Sequence, residues 1–144
     1  MNDKLGALYR QLFSEAGNQE NALKMLAGLD EPLKRELATL LIAKLEDEDR
    51  FIRVSAVLAL ERLGPITEEV IPALARTFPD PHHTVAKLAI RAMEGMGHAV
   101  IEYLIAALQY REGGVAESAA QALRHFDTPQ AVKALSDYRR RSAQ

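Results

Sequence analysis

The stretch 52-IRVSAVLALERLG-64 returns thirty-three residues later as 85-VAKLAIRAMEGMG-97. That recurrence limits what this chain can fold into more than any other feature of it. At this offset Ile52 falls on Val85, Ala56 on Ala89, Ala59 on Ala92, Leu60 on Met93, Leu63 on Met96 and Gly64 on Gly97. A further step of 30 reaches Val115, Ala119, Ala122, Leu123 and Phe126, with Asp127 in the glycine's place. A weaker copy lies upstream at an offset of 34, where Ala22, Met25, Leu26 and Leu29 match, Asp30 replaces the glycine and Asn18 breaks the apolar pattern.

Within each copy the apolar residues fall at i, i+4, i+7, i+8 and i+11, which is one face of a helix at 3.6 residues per turn. Alanine at the second and third of these positions lets a neighbouring helix approach where leucine would hold it off. The closing glycine supplies the positive φ that ends a helix. After each such helix comes a second apolar segment: 68-EEVIPALARTF-78, 98-HAVIEYLIAALQY-110 and 129-PQAVKALSDYRRR-141. These share an apolar pair and a leucine, at Val70/Ile71/Leu74, Val100/Ile101/Leu104 and Ala131/Val132/Leu135. The predicted unit is a helical hairpin, stacked in series. Turn chemistry agrees: Asp80-Pro81 and Thr128-Pro129 each offer an N-cap oxygen before a proline at the first helical position. Gly64-Pro65 and Gly113-Gly114 punctuate other boundaries, and Pro72 sits close enough to a helix start to disturb only donors that are unpaired anyway.

The pattern (I/V)-R-x-x-A-x-x-A-L-x-x-L-G, carried here by Ile52, Arg53, Ala56, Ala59, Leu60, Leu63 and Gly64, resembles HEAT repeats, particularly the short bacterial form also found in phycobilisome lyase subunits. The likeness is good over residues 47–138 and faint over 18–46. It departs at the arginine, replaced by Ala86 and Ala116, so a polar ladder between neighbouring repeats is expected to be interrupted there. The resemblance implies an all-α fold: a right-handed α-solenoid of about four HEAT-like helical hairpins, nine helices in all, with an N-terminal capping helix. The expected organisation is a single domain over 1–144, with a cap at 1–17, a degenerate repeat at 18–46, and clearer repeats at 47–79, 80–111 and 112–144. Terminal units of a solenoid need such caps, because their stacking faces would otherwise be exposed.

Composition narrows the function. The chain has no cysteine, which removes disulfides, thiolate metal sites and cysteine nucleophiles. The N-terminus has no apolar run of signal-peptide length, and no apolar stretch approaches the roughly 20 residues needed to span a bilayer. A soluble, cytoplasmic protein is expected. The formal charge of −2 gives no global attraction to nucleic acid or anionic lipid.

No residue pattern names a reaction. Of the four histidines, His82 and His83 are adjacent and so diverge on a helix, while His98 and His125 lie near the ends of successive first helices and could approach across a repeat interface. None has H-E-x-x-H spacing. The acidic run Glu46-Asp47-Glu48-Asp49 lacks the glycine of a D-x-[DN]-x-[DN]-G calcium loop and reads as a turn whose acids cap the next helix. Phosphate-cradling and nucleophile-elbow motifs are missing. Arg139, Arg140 and Arg141 read as favourable charge at a helix C-terminus. No catalytic residue, metal or cofactor is assigned, and the chain is read as a non-enzyme.

The more informative feature is a second line on the segment 98–110, where Tyr103, Ala107 and Tyr110 recur at i, i+4 and i+7. In HEAT-like stacks the second helices line the concave surface, so the resemblance implies that these residues face a groove. Aromatic rings beside small residues suit a protein-binding hot spot. The same ridge in the flanking repeats offers Arg76 and Thr77 on one side and Asp137 and Tyr138 on the other. The leading expectation is a protein–protein interaction module or adaptor that binds a segment of another protein. The alternatives are a bilin-lyase-like subunit or chromophore-handling partner, implied by the resemblance, and nucleic-acid binding, which Glu68, Glu69, Glu102 and Asp137 along the ridge disfavour.

Overall fold

Nine α-helices and two short 3-10 turns, with no strand, account for the regular structure of the described residues. The structure is a computed structural model that describes residues 3–14 and 19–143; Asn18, where the upstream copy breaks its pattern, lies outside them. In chain order the helices are α1 (Asp3–Leu12), α2 (Gln19–Met25), α3 (Glu31–Lys44), α4 (Arg50–Leu63), α5 (Val70–Ala75), α6 (His83–Met93), α7 (Ile101–Ala107), α8 (Val115–Leu123) and α9 (Pro129–Ser142). The 3-10 turn Leu26–Gly28 extends α2, and His98–Val100 leads into α7.

The helix boundaries follow local chemistry. Asp30, Asp49 and Thr128 act as N-caps of α3, α4 and α9, accepting from the backbone N–H groups of Leu33, Phe51 and Ala131 at 3.0, 2.8 and 3.2 Å. The acidic turn therefore does cap the following helix, through Asp49, while Asp47 accepts from the Asp49 N–H. Gly64 and Gly97 end their segments at φ 75° and 87°, the left-handed region that only glycine enters without penalty. Asp30 and Asp127, in the glycine's place, have no such φ; at Asp30 the chain is already extended and starts the next helix instead.

Two local expectations need correction. Asp80 does not cap a helix beginning at Pro81. The helix α6 starts two residues later, at His83, and the Asp80 carboxylate accepts from the His82 N–H and from Arg53. The second segment of the central repeat stops at Ala107, not at Tyr110. Its end tightens into i→i+3 bonds from the N–H groups of Leu108, Gln109 and Tyr110, which turns Tyr110 out of phase with Tyr103.

The first helices of the repeats, α2, α4, α6 and α8, stack in order, and α1 packs against α2, α3 and α4 at one end. The alanines explain the closeness of that stack: Ala56, Ala59, Ala89, Ala92, Ala119 and Ala122 are all buried. Between repeats, α3 packs on α4, α5 on α6 and α7 on α8. Large aliphatic side chains fill the space between layers, among them Leu37, Leu41, Leu60, Leu74, Ile90, Met93, Leu104 and Leu123. The result is an α-solenoid with one continuous core.

The arginine of the repeat pattern makes a largely buried polar rung between repeats. Arg53 of α4 donates to both Asp80 carboxylate oxygens at 2.7 and 3.0 Å, and to the carbonyls of Asp47 and Glu48 at 2.9 and 3.1 Å. At the corresponding positions of the next two repeats, Ala86 and Ala116 are buried and have no side chain to make such a rung, although the Ala116 N–H donates to the Tyr110 carbonyl at 3.1 Å.

Candidate functional site

The second helices differ in length, and the difference opens a cleft. Pro65 and Pro79 bracket the segment that forms α5, and only six residues between them become α-helical. Along this layer α3 packs on α5 and α7 on α9, whereas α5 and α7 stand further apart. The gap is a shallow cleft of about 500 Å³, lined from α3 by Arg35, from the α5 region by Ile66, Thr67, Glu68, Ile71 and Pro72, and from the α7 region by Ala99, Glu102 and Tyr103.

Tyr103 is half-buried. Its ring packs on the core, and its hydroxyl makes no hydrogen bond with any described residue, so a polar tip is presented to the cleft. Arg35, Glu68 and Glu102 are exposed and likewise form no ion pair among the described residues.

The other residues singled out by sequence do not line this cleft. Ala107 is completely buried and offers no surface. Thr77 is 4% exposed, and its hydroxyl donates to the Leu74 carbonyl at 2.6 Å; the turn after α5 absorbs it. Tyr110 leaves the tyrosine line and stands edge-on to Phe78, with ring centroids 6.1 Å apart, which makes it a packing residue between repeats.

Arg76, Asp137 and Tyr138 remain accessible but line different hollows. Arg76 lies beside Ile42 and Ala73, between α3 and α5. Asp137 lines the α7–α9 cleft with Ile105, Gln109 and Lys133. Hydrogen bonds from Lys133 and then from Arg140 hold its carboxyl below the usual carboxylate range. Tyr138 lies with Leu108, Arg111 and Arg141 near the end of the chain. The structure thus places Tyr103 on the wall of a cleft and does not gather the other candidates around it.

Arg35 was missed as a lining residue because α3 sits in the weakest copy of the pattern, and Ile66 and Pro72 because in the sequence they read only as turn and helix-start residues. The signal available was the proline pair that shortens α5. Among the histidines, His98 meets Phe126 across the repeat interface, edge-on at 5.5 Å, rather than His125. Among the described residues no three His, Asp or Glu side chains are grouped to hold a metal ion, and no helix is long and apolar enough to cross a membrane.

Comparison with known proteins places this geometry. A family profile described as HEAT repeats matches residues 7–93. The match takes in α1 to α6, including the upstream copy that the sequence pattern carries only faintly, and stops at the end of α6. A solved structure described as an engineered protein superposes with a TM-score of 0.53 at 22% identity, over 96% of this chain and 68% of that one; at this identity it supports the fold alone. No curated protein matches. With more than half of its length matched by the profile and an all-helical stack of the corresponding form, the chain belongs to the HEAT-repeat family.

Proposed function

We propose that this protein is a non-catalytic adaptor that holds a segment of another protein in the groove lined by its second helices. HEAT repeats are in general protein-interaction modules, and stacked repeats present extended surfaces suited to that use. The observation that carries the reading for this chain is Tyr103: an aromatic ring at the wall of an open cleft, with an unbonded hydroxyl. Such a side chain gives large contact area at low entropic cost and can satisfy a backbone group of the bound segment.

The test is affinity capture from native lysate, with and without nuclease, followed by mass spectrometry and an absorbance scan of the eluate. A stoichiometric protein is expected to survive nuclease and to be lost from Tyr103→Ala. Tyr110→Ala is the matched control. It removes the same ring from a site outside the cleft, so it should lower the melting temperature by at least as much, yet keep the partner. Equal loss of the partner from both variants would show that stability, not the cleft, governs capture. A coloured eluate would turn the reading to chromophore handling, which rests on the resemblance to lyase subunits.

A further inference from the structure

We infer that the segment held at this cleft carries a lysine or arginine side chain, seated against Glu68 and Glu102 with its aliphatic stem on Tyr103. The inference rests on the groove reading above and adds the chemistry of the partner.

The cleft combines three kinds of surface. Ile71 and Pro72 make an apolar floor, Tyr103 an aromatic wall, and Glu68 and Glu102 place two carboxylates at the rim, against the single guanidinium of Arg35. None of these three charges is neutralised within the described molecule, so the cleft carries an excess of negative charge. A segment that covers it strips part of the water from both glutamates. An acidic segment meets repulsion, and a wholly apolar one leaves two partly desolvated carboxylates without partners. A lysine or arginine removes both difficulties. Its methylene stem covers the apolar floor, its head reaches the rim, and a cation near the Tyr103 face gains the attraction of the ring quadrupole.

The neighbouring hollow has the opposite character. In the α7–α9 cleft, Lys133 and Arg141 accompany Asp137, whose carboxylate is already held by Lys133 and Arg140. The two hollows that α7 lines therefore differ in sign, and a segment long enough to cover both would be oriented by the order of its charges.

The test uses the full chain, immobilised, and a library of capped twelve-residue peptides with randomised positions. Bound peptides are sequenced, and the best is measured by fluorescence anisotropy against variants. Peptides whose binding depends on Tyr103 are expected to be enriched in lysine or arginine. Replacing the basic residue by norleucine, which keeps the stem and removes the charge, should weaken binding about fivefold, as should the double variant Glu68→Gln/Glu102→Gln. Arg35→Ala should hold or strengthen it. Tyr103-dependent peptides without a basic bias, or with binding indifferent to the glutamine pair, would overturn this inference while leaving the groove reading standing. If no bound peptide depends on Tyr103, both fall.

Discussion

Removal of the Arg53–Asp80 pair is the sharpest test of how the repeats are joined. The two side chains are 13% and 7% exposed, so neither charge is solvated well enough to stand alone. Arg53→Ala deletes two hydrogen bonds to the carboxylate and two to backbone carbonyls, and leaves Asp80 with only the His82 N–H. Breaking a buried pair from one side costs about 3–5 kcal/mol. The lower end applies here because the rim of the pair touches water, so about 3 kcal/mol is expected. For a domain of this size that lowers the melting temperature by roughly 6–12 °C. Asp80→Ala should cost somewhat less, because Arg53 keeps its two carbonyl acceptors.

The double variant separates pairing from packing. If the two groups stabilise each other, Arg53→Ala/Asp80→Ala should be about as stable as the worse single variant, which gives a coupling of about 2 kcal/mol. Urea unfolding of the four proteins, with the slopes compared, measures this directly. In a stacked-repeat protein the pair belongs to the interface between neighbouring units, so a shallower slope in the variants would show the two halves of the stack uncoupling. A coupling below about 0.5 kcal/mol would refute the argument and reduce the pair to a surface contact.

Other expectations are simpler to state. Ala89→Leu, at a fully buried contact of α6, should overpack the stack and cost about 1–3 kcal/mol; an unchanged melting temperature would refute the assigned helix register. Gly113 has φ 67° and its added Cβ would overlap the His83 ring and lie 2.6 Å from the His83 Cβ. Gly113→Ala should therefore cost more than about 2 kcal/mol, and adding His83→Ala should restore only part of the lost melting temperature. In an NMR titration the Asp137 carboxyl should titrate below the usual carboxylate range, and Lys133→Ala should bring it back up toward it; no movement would show that Lys133 does not hold it.

What was legible in the sequence was whatever a local rule decides. Gly64 and Gly97 announce a positive φ because few other residues tolerate one, and the buried alanines announce close stacking because their spacing is fixed by helical period. The cleft was only half legible. Tyr103 was visible as an aromatic off the core stripe, but Tyr110 was grouped with it on the assumption that the helix continued, and it ends at Ala107, which is itself fully buried. Thr77 misled for a different reason: a threonine in the turn after a helix can spend its hydroxyl on a carbonyl of the last turn. Arg35 belongs to the cleft only through the packing of α3 on α5, which no periodicity within either segment encodes.

The Arg53–Asp80 rung and the cleft are linked through α5. Arg53 grips the loop before α4 by two carbonyls and the loop after α5 by the Asp80 carboxylate, so it fixes the far end of α5 relative to the α3–α4 pair. Among the described residues no equivalent ion pair ties α5 to α7, because Ala86 stands where the next arginine would be; the turns that follow the two helices meet through the Phe78 and Tyr110 rings instead. The cleft therefore has one wall, α3 with α5, held by a hydrogen-bonded clamp, and one wall, α7, held by apolar packing alone. Apolar contacts are non-directional, so, on the proposed groove reading, the α7 wall carrying Tyr103 and Glu102 is the side on which the fit to a segment would adjust. The arginine lost from the repeat pattern at Ala86 thus leaves a cleft with one fixed and one adaptable side.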